Sequence, residues 1–237
     1  MSLPERAQGV EVEPSLYAAD FVNLGAQIEQ LIDAGARIFH FDVGDGHFVE
    51  PFTMGPIVLE SIAPLVHRRW ALVDCHLMVA EPERHIPQVA DAGADSVTFH
   101  LEAADDPSHT IAQARSLGLG VGMAFNPESS VDSALEASAG ADFILCMSIH
   151  PGYSGQTFMA EALERIALLR RRLPEDVLIQ VDGGIDDTNA VAVAKAGAHL
   201  IVSGSAIFDE PDIARAYRSL CDDVEANPME TELKGTR

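Results

Sequence analysis

The sequence predicts an α/β protein built as a single (β/α)8 barrel, a TIM barrel, and three observations support this prediction. Eight short apolar runs alternate with amphipathic helical patterns, which is the element order of a parallel barrel. A short glycine-containing phrase recurs where helices should end. The chain has 237 residues, 47% of them hydrophobic, which is enough for one sizeable core.

The strand candidates follow one another at similar intervals, and each is an apolar run between turn-forming residues. Helical patterns lie between them, for example NLGAQIEQLIDAG and AEALERIALLRRRL. An open doubly wound sheet is the structural alternative, but it usually has fewer units and often a glycine-rich first turn, which is absent here. Strands are predicted at 12–16, 37–43, 70–77, 95–100, 119–124, 142–147, 177–182 and 199–203.

The recurring phrase marks the junction between a helix and the next strand. It reads DAGAR, DAGAD, SAGAD and KAGAH, and it places Gly35, Gly93, Gly140 and Gly197 after helical patterns, with Gly118 as a weaker member. Glycine commonly ends a helix in the left-handed conformation. We therefore expect a positive φ at these positions, followed by a strand.

The net charge and the number of cysteines indicate which binding partners and which cellular compartment to expect. The formal net charge is −22, from 15 basic and 37 acidic residues, and such a surface repels a phosphate backbone, so no nucleic-acid partner is expected. Three widely spaced cysteines suit a reducing compartment. The start has no apolar signal core and nothing approaches a membrane-spanning length, so a cytoplasmic protein without membrane contact is expected.

We predict one domain over 1–237, with 1–11 an N-terminal extension and about 223–237 a polar C-terminal tail.

Polar side chains cluster at the carboxyl ends of the predicted strands, where barrels of this kind carry their chemistry. In RIFHFDVGDGHFVE, His40 and Asp42 are two residues apart and share one face of a strand. His76 lies near the end of the third strand and Asp182 ends the seventh. Each residue alone would more often be a hydrogen-bonded core residue, but together they predict one site for Zn²⁺, Fe²⁺, Mn²⁺ or Co²⁺. Their predicted partners one layer below are Asp74 and Gln180.

The chain resembles the ribulose-phosphate 3-epimerase family from about residue 12 to residue 221. Six phrases carry the resemblance in the family's order and spacing: PSLYAADF, HFDVGDGHF, DCHLMV, MSIHPGYSGQTF, VDGGI and SGSAIF. The family consists of (β/α)8 barrels that interconvert D-ribulose 5-phosphate and D-xylulose 5-phosphate. The resemblance therefore implies a barrel of the ribulose-phosphate-binding type and an isomerase that acts at C3 of a ketose phosphate.

The resemblance also implies roles for individual residues. His40, Asp42, His76 and Asp182 would bind one divalent metal ion, and the two aspartates would be the acid/base pair. Two carboxylates on opposite sides of a flat enediolate can remove a proton from one face and return one to the other. The metal would polarise the carbonyl. Substrate contacts are predicted for Ser15, His76, Met78, Met147, Gly152, Gly155, Asp182, Gly183, Gly184, Gly204 and Ser205.

Glycine-rich loops predict an anion-binding end. DGG at 182–184 and GSA at 204–206 follow strands seven and eight, where phosphate sites recur in this fold, and both are expected to offer backbone N–H groups at helix starts. PGYSG at 151–155 adds a glycine loop after strand six. Three such loops at one mouth favour a phosphate-bearing substrate, which the resemblance implies is a phosphorylated ketose. A homo-oligomer is the expected assembly.

Some positions depart from the family's usual residues. Gly44 stands where methionine is usual, Glu50-Pro51 where Pro-Asn is usual, and Ser154 where glycine is usual. The lining near the second strand is therefore altered, and a longer ketose phosphate such as a hexulose 6-phosphate stays an alternative substrate.

Two further classes of protein fit the sequence less well than an epimerase. A Schiff-base aldolase or a lysine-dependent decarboxylase needs a strand-end lysine, whereas Lys195 falls on a helix and Lys234 in the tail. A non-catalytic metabolite-binding barrel is the remaining alternative, and the intact acid/base residues argue against it.

Overall fold

Eight parallel strands, joined by helical connections, form the barrel in the computed structural model, which describes residue 3 and residues 9–227. The predicted fold class is confirmed. The strands are β1 (Glu11–Pro14), β2 (Ile38–Gly44), β3 (Leu72–Met78), β4 (Ser96–His100), β5 (Gly120–Phe125), β6 (Phe143–Met147), β7 (Leu178–Asp182) and β8 (Leu200–Ser203). The α-helices are α1 (Leu24–Ala34), α2 (Pro56–His67), α3 (Pro82–Asp91), α4 (Pro107–Ser116), α5 (Val131–Ala137), α6 (Ala162–Arg172), α7 (Ala190–Ala196), α8 (Ser205–Phe208) and α9 (Ile213–Glu225).

The strands pair in the order β1-β8-β7-β6-β5-β4-β3-β2, every pair being parallel. Within the described chain, β1 and β2 meet only through an isolated parallel bridge between Ser15 and His40, which nearly closes the barrel. The register of β2 against β3 places Asp42 opposite His76. This register brings the polar ends of the two strands to the same level of the barrel.

The predicted boundaries are close to the observed ones, with differences at both ends of the chain. β1 begins at Glu11, so this residue belongs to the barrel and not to the predicted extension. α9 continues to Glu225, inside the range predicted as a polar tail. Most of the predicted N-terminal extension and of the predicted polar tail lies outside the described residues, namely at 1–2, 4–8 and 228–237.

The recurring glycines have the predicted left-handed backbone. Their φ angles are 120° at Gly35, 99° at Gly93, 93° at Gly140 and 117° at Gly197, and Gly118 has a φ of 83°. A residue with a Cβ is strained in this region, which explains why the same short phrase recurs between helix and strand.

Buried side chains fill both sides of the sheet. Ile38, Phe143, Leu178 and Leu200 are among the first residues of their strands and pack together with Leu3, so they close the amino end of the barrel. Apolar residues on the outer strand faces pack against the helices, and none of the described helices has the length and apolar character needed to cross a membrane. The polar residues of the interior lie between the closed amino end and the open carboxyl end.

Gly122→Ala is expected to destabilise the barrel by overpacking its interior. A Cβ on Gly122 would lie 2.2 Å from a ring carbon of Phe143 and 2.3 Å from Oγ1 of Thr98. We expect the free energy of unfolding, measured in urea, to fall by about 1–3 kcal/mol. Gly25→Ala is the control, because a Cβ there is 3.8 Å from the nearest atom, on Leu65. Equal stability of the two variants would contradict this account of the packing.

Candidate active site at the barrel mouth

The structure brings together the four residues predicted to bind a metal ion. His40 and Asp42 come from β2, His76 from β3 and Asp182 from the end of β7. One ligand atom of each lies within 4.8 Å of the ligand atoms of the other three. Asp42 Oδ1 is 3.3 Å from His40 Nε2 and 3.1 Å from His76 Nδ1, and Asp182 Oδ2 is 3.9 Å from His76 Nδ1. The two histidines are buried, and the carboxylates face the open end.

The donor set of this group fits one divalent cation. His40 directs Nδ1 towards Asp74 Oδ2 at 3.2 Å, so its Nε2 is left to face the group. Two imidazole nitrogens and two carboxylate oxygens are ligands that suit zinc, iron(II), manganese and cobalt. The carboxylates would balance the charge of such an ion in a buried setting.

The two carboxylates of the group have pKa values displaced in opposite directions. Burial opposes ionisation of Asp42, but the attraction of His40 and hydrogen bonds with His40 and His76 outweigh it and lower its pKa below the ordinary value. Burial and the neighbouring Asp42 raise the pKa of Asp182 to about 7. A pair of carboxyl groups with separated pKa values is suited to act as base and acid near neutral pH.

A layer of hydrogen-bonded polar residues supports the group from below. Gln180 donates from Nε2 to Asp74 Oδ2 at 2.8 Å and to Glu13 Oε2 at 2.6 Å. Ser96 donates to Asp74 Oδ1 at 2.6 Å. Asp74 and Gln180 thus lie in contact below His40, as predicted. Glu13 was not predicted, although it stands two residues before Ser15 on β1 and the alternation of strand side chains places both on the inner face.

Above the group, a pocket opens at the carboxyl ends of the strands. Ser15 lies at its edge and donates from Oγ to Asp42 Oδ2 at 2.8 Å. His40 and His76 are fully buried beneath it. The other predicted substrate contacts all line the pocket, namely Met78, Met147, Gly152, Gly155, Asp182, Gly183, Gly184, Gly204 and Ser205.

Three polar side chains in the pocket wall were not predicted as contacts. Tyr17, Tyr153 and Ser154 line the pocket, and Ser154 Oγ lies 3.5 Å from where a Cβ on Gly204 would be. For Ser154, its departure from the family's usual glycine was the signal available in the sequence. Tyr153 Oη lies 3.3 Å from Glu50 Oε2, which joins the loops after β6 and β2. The described lining residues include no lysine or arginine.

One expectation about the glycine loops is wrong and another is confirmed. Gly183 and Gly184 do not start a helix, because α7 begins only at Ala190. Their φ angles are 120° and 66°, and a Cβ on Gly184 would lie 2.6 Å from the carbonyl oxygen of Gln156. Close approach of the loop after β6 is therefore the reason for glycine here. Gly204 does precede a helix, since α8 begins at Ser205.

Chemistry placed at the carboxyl ends of eight parallel strands is typical of TIM-barrel enzymes, and comparison with known proteins narrows this class. Residues 11–208 match the profile of the Ribulose-phosphate 3 epimerase family. Ribulose-phosphate 3-epimerase of Synechocystis sp. is 38% identical over 228 residues, which cover 94% of this chain and 98% of that protein. The Escherichia coli K12 protein of that name is 38% identical over 216 residues, covering 90% and 93%. The chain belongs to the ribulose-phosphate 3-epimerase family and is an isomerase-class enzyme.

Solved structures share the fold at lower sequence identity. 3-Hexulose-6-phosphate synthase from Salmonella typhimurium aligns with a TM-score of 0.70 and 17% identity, over 92% of this chain and 100% of that one. At this level of identity the likeness shows a common barrel architecture.

Proposed function

We propose that this chain catalyses the metal-dependent epimerisation of a ketose phosphate at C3, converting D-ribulose 5-phosphate to D-xylulose 5-phosphate. The observation that carries the proposal is the pair Asp42 and Asp182, which line one pocket and lie with His40 and His76 close enough to hold one cation. The similarity to proteins named ribulose-phosphate 3-epimerase supports this substrate. Assembly as a homo-oligomer and a cytoplasmic location stay predictions.

The two aspartates would move the protons. Asp42, with its lowered pKa, is ionised and can take the C3 proton, while Asp182, with a pKa of about 7, can hold a proton for delivery to the other face. In the reverse direction the two residues exchange roles. The Ser15 hydroxyl holds Asp42 Oδ2 at 2.8 Å, which leaves Oδ1 to face the two histidines. The buried side chains of Met78 and Met147 limit the access of water to an enediolate.

His40, Asp42, His76 and Asp182 would hold the divalent ion in this proposal. When bound, such an ion polarises the substrate carbonyl and stabilises the negative charge that develops on its oxygen. The protein's own contribution is to direct two nitrogens and two carboxylate oxygens to one point. Asp74 keeps His40 Nε2 in that direction through its contact with Nδ1.

The other end of the pocket would receive the phosphate. Gly183, Gly184, Gly204 and Ser205 line this end and can present backbone N–H groups to the anion. The Ser154 hydroxyl lies next to Gly204 and can donate as well. Because the described lining residues include no lysine or arginine, we propose that hydrogen bonds and local dipoles bind the dianion in a protein of net charge −22.

Metal removal tests the proposed reaction. Stripping the protein with a chelator is expected to lower turnover of D-ribulose 5-phosphate by at least about 100-fold, because the carbonyl is then not polarised. Adding back Zn²⁺, Fe²⁺, Mn²⁺ or Co²⁺ should restore it. In D₂O, deuterium should enter C3, as followed by NMR.

A panel of ketose phosphates separates the alternatives. Higher kcat/KM for a hexulose 6-phosphate than for ribulose 5-phosphate would establish the longer substrate. Failure of the metal-loaded protein to exchange C3 hydrogen in any ketose phosphate would leave the non-catalytic binding barrel. Full activity of the stripped protein, with metal content confirmed to be absent, would refute metal dependence.

A further inference from the structure

His76 directs one ring nitrogen to the four-residue group, and its other nitrogen has a partner of its own. Nδ1 lies 3.1 Å from Asp42 Oδ1, whereas Nε2 lies 2.8 Å from Nε2 of His100 on β4. The planes of the two rings are inclined by 22° and their centroids are 5.0 Å apart, and both rings are fully buried. Two imidazole nitrogens at hydrogen-bond distance need one proton between them, so one of them donates and the other accepts.

The role of His76 as a metal ligand decides which nitrogen donates. A nitrogen that binds a cation carries no proton, so a neutral His76 with Nδ1 facing the ion carries its proton on Nε2. That proton is donated to His100 Nε2. A neutral His100 that accepts at Nε2 carries its own proton on Nδ1.

Glu102 stands where the proton on His100 Nδ1 needs an acceptor. Its Oε2 lies 3.4 Å from His100 Nδ1, and this nitrogen has no hydrogen-bond partner among the described residues. The carboxylate is held by the loop after β5, because its Oε1 accepts from the backbone N–H of Asn126 at 2.8 Å and from the hydroxyl of Ser129. A carboxylate accepts only, so it favours the tautomer of His100 that carries its proton on Nδ1.

The surroundings of His100 hold its ring in place. The side chain is fully buried at the end of β4. The ring of Phe48 packs against it with a centroid separation of 4.7 Å. His40 has a simpler arrangement with the same outcome, because its outer nitrogen Nδ1 meets the carboxylate of Asp74 directly.

We propose that His100 and Glu102 are positioning residues that fix the tautomer of His76, so that its Nδ1 stays unprotonated towards the divalent ion. The inference rests on the proposed metal site. Loss of a partner that orients a metal-bound histidine typically lowers metal affinity 10–100-fold. The series of contacts from His76 through His100 to Glu102 would therefore affect metal affinity, although His100 and Glu102 do not contact the substrate.

The tautomers can be read in the Zn²⁺-loaded protein, where the ion takes the place of a proton on His76 Nδ1. Two-bond ¹H–¹⁵N spectra are expected to show His76 protonated on Nε2 and His100 protonated on Nδ1. A His100 protonated on Nε2, or a His76 that binds the ion through Nε2, would overturn the proposal, whatever the activity of the enzyme.

Zn²⁺ affinity, measured by competition with a chromophoric chelator, tests the consequence. His100→Phe removes the acceptor and is expected to raise the dissociation constant about 10–100-fold. His100→Gln offers an amide oxygen to His76 Nε2–H and should restore most of the affinity. Glu102→Gln can either accept or donate, so both His100 tautomers become available and an increase of about tenfold is expected. His199→Gln is the matched control. Among the described hydrogen bonds the His199 side chain only accepts from the backbone N–H of Ile179, so this variant should leave Zn²⁺ affinity unchanged.

The outcomes separate this inference from the proposed function. A wild-type protein that binds no Zn²⁺ would refute the metal site and the inference with it. Wild-type binding with an unchanged dissociation constant in His100→Phe and Glu102→Gln would overturn the positioning role alone. Should His100→Phe not fold, Glu102→Gln and the tautomer spectra decide the question.

Discussion

Asp182→Asn is expected to lower the turnover of D-ribulose 5-phosphate by about 10²–10⁴-fold, the usual contribution of a positioned acid or base. The amide has nearly the same shape as the carboxyl group but cannot exchange a proton at neutral pH. Burial and the charge of Asp42 hold the pKa of Asp182 at about 7, and this property is lost in the variant. Asp42→Asn should have an effect of similar size, since it removes the other member of the pair.

The measurement separates proton transfer from metal loss. Turnover and C3 deuterium exchange are measured at matched metal content, because both aspartates are also proposed ligands. Asp187→Asn, on the exposed turn after β7, removes a charge from the same loop and should leave both rates unchanged. A double variant lacking both carboxylates that still exchanges C3 hydrogen at the wild-type rate would refute the acid/base assignment.

Gly204→Asp is expected to abolish detectable binding of the phosphorylated substrate, with an increase in KM of more than about 100-fold. A Cβ at this position would lie 3.2 Å from the Cβ of Ala18 and 3.5 Å from Ser154 Oγ, so the side chain enters the proposed phosphate end. Its charge would repel a dianion in a pocket whose described lining has no basic residue. The barrel should remain folded, as followed by circular dichroism.

Two controls separate charge from volume. Gly204→Ala adds the Cβ alone and should raise KM less. Gly55→Asp adds the same charge before α2, where nothing lies within 4 Å of the new Cβ, and should leave KM unchanged. If unphosphorylated ribulose is turned over as efficiently as ribulose 5-phosphate, the phosphate end has been assigned to the wrong residues.

Local patterns in the sequence predicted the barrel well because they depend on neighbouring residues. Periodicity located all eight strands within two residues of their observed ends, and the glycine phrases located the turns that precede β2, β4, β6 and β8. The end of β1 and the start of β3 show the largest shifts, and the one at β3 has a clear cause. Trp70, which periodicity places in the strand, has a φ of 58° and belongs to a turn, while β3 begins at Leu72. An apolar side chain at a strand entrance gives no signal of such a backbone conformation.

Contacts between distant strands were harder to predict. The ends of β2, β3 and β7 were expected to meet because the fold brings carboxyl ends together. The acceptor for a buried histidine depends instead on distances of a few tenths of an ångström. His100 and Glu102 illustrate this limit, since only coordinates show one nitrogen of His100 at 2.8 Å from His76 and the other beside Glu102. Glu13 is a different case. The alternation of side chains along β1 was sufficient to place it inside the barrel, so this residue could have been predicted from the sequence.

The narrow junction between β1 and β2 has a mechanical consequence. Apart from the Ser15–His40 bridge, the described strands continue around the barrel from β2 through β7 and β8 to β1. An ion held by Asp42 on β2 and Asp182 on β7 would span the interior from one side of this junction to the other. The bound ion would stabilise the barrel at the β1–β2 junction, where the strands share the fewest hydrogen bonds. The binding energy of the ion would therefore oppose local opening of the barrel. Loading the site would then stiffen the same strands that have to hold the two aspartates in place during proton transfer.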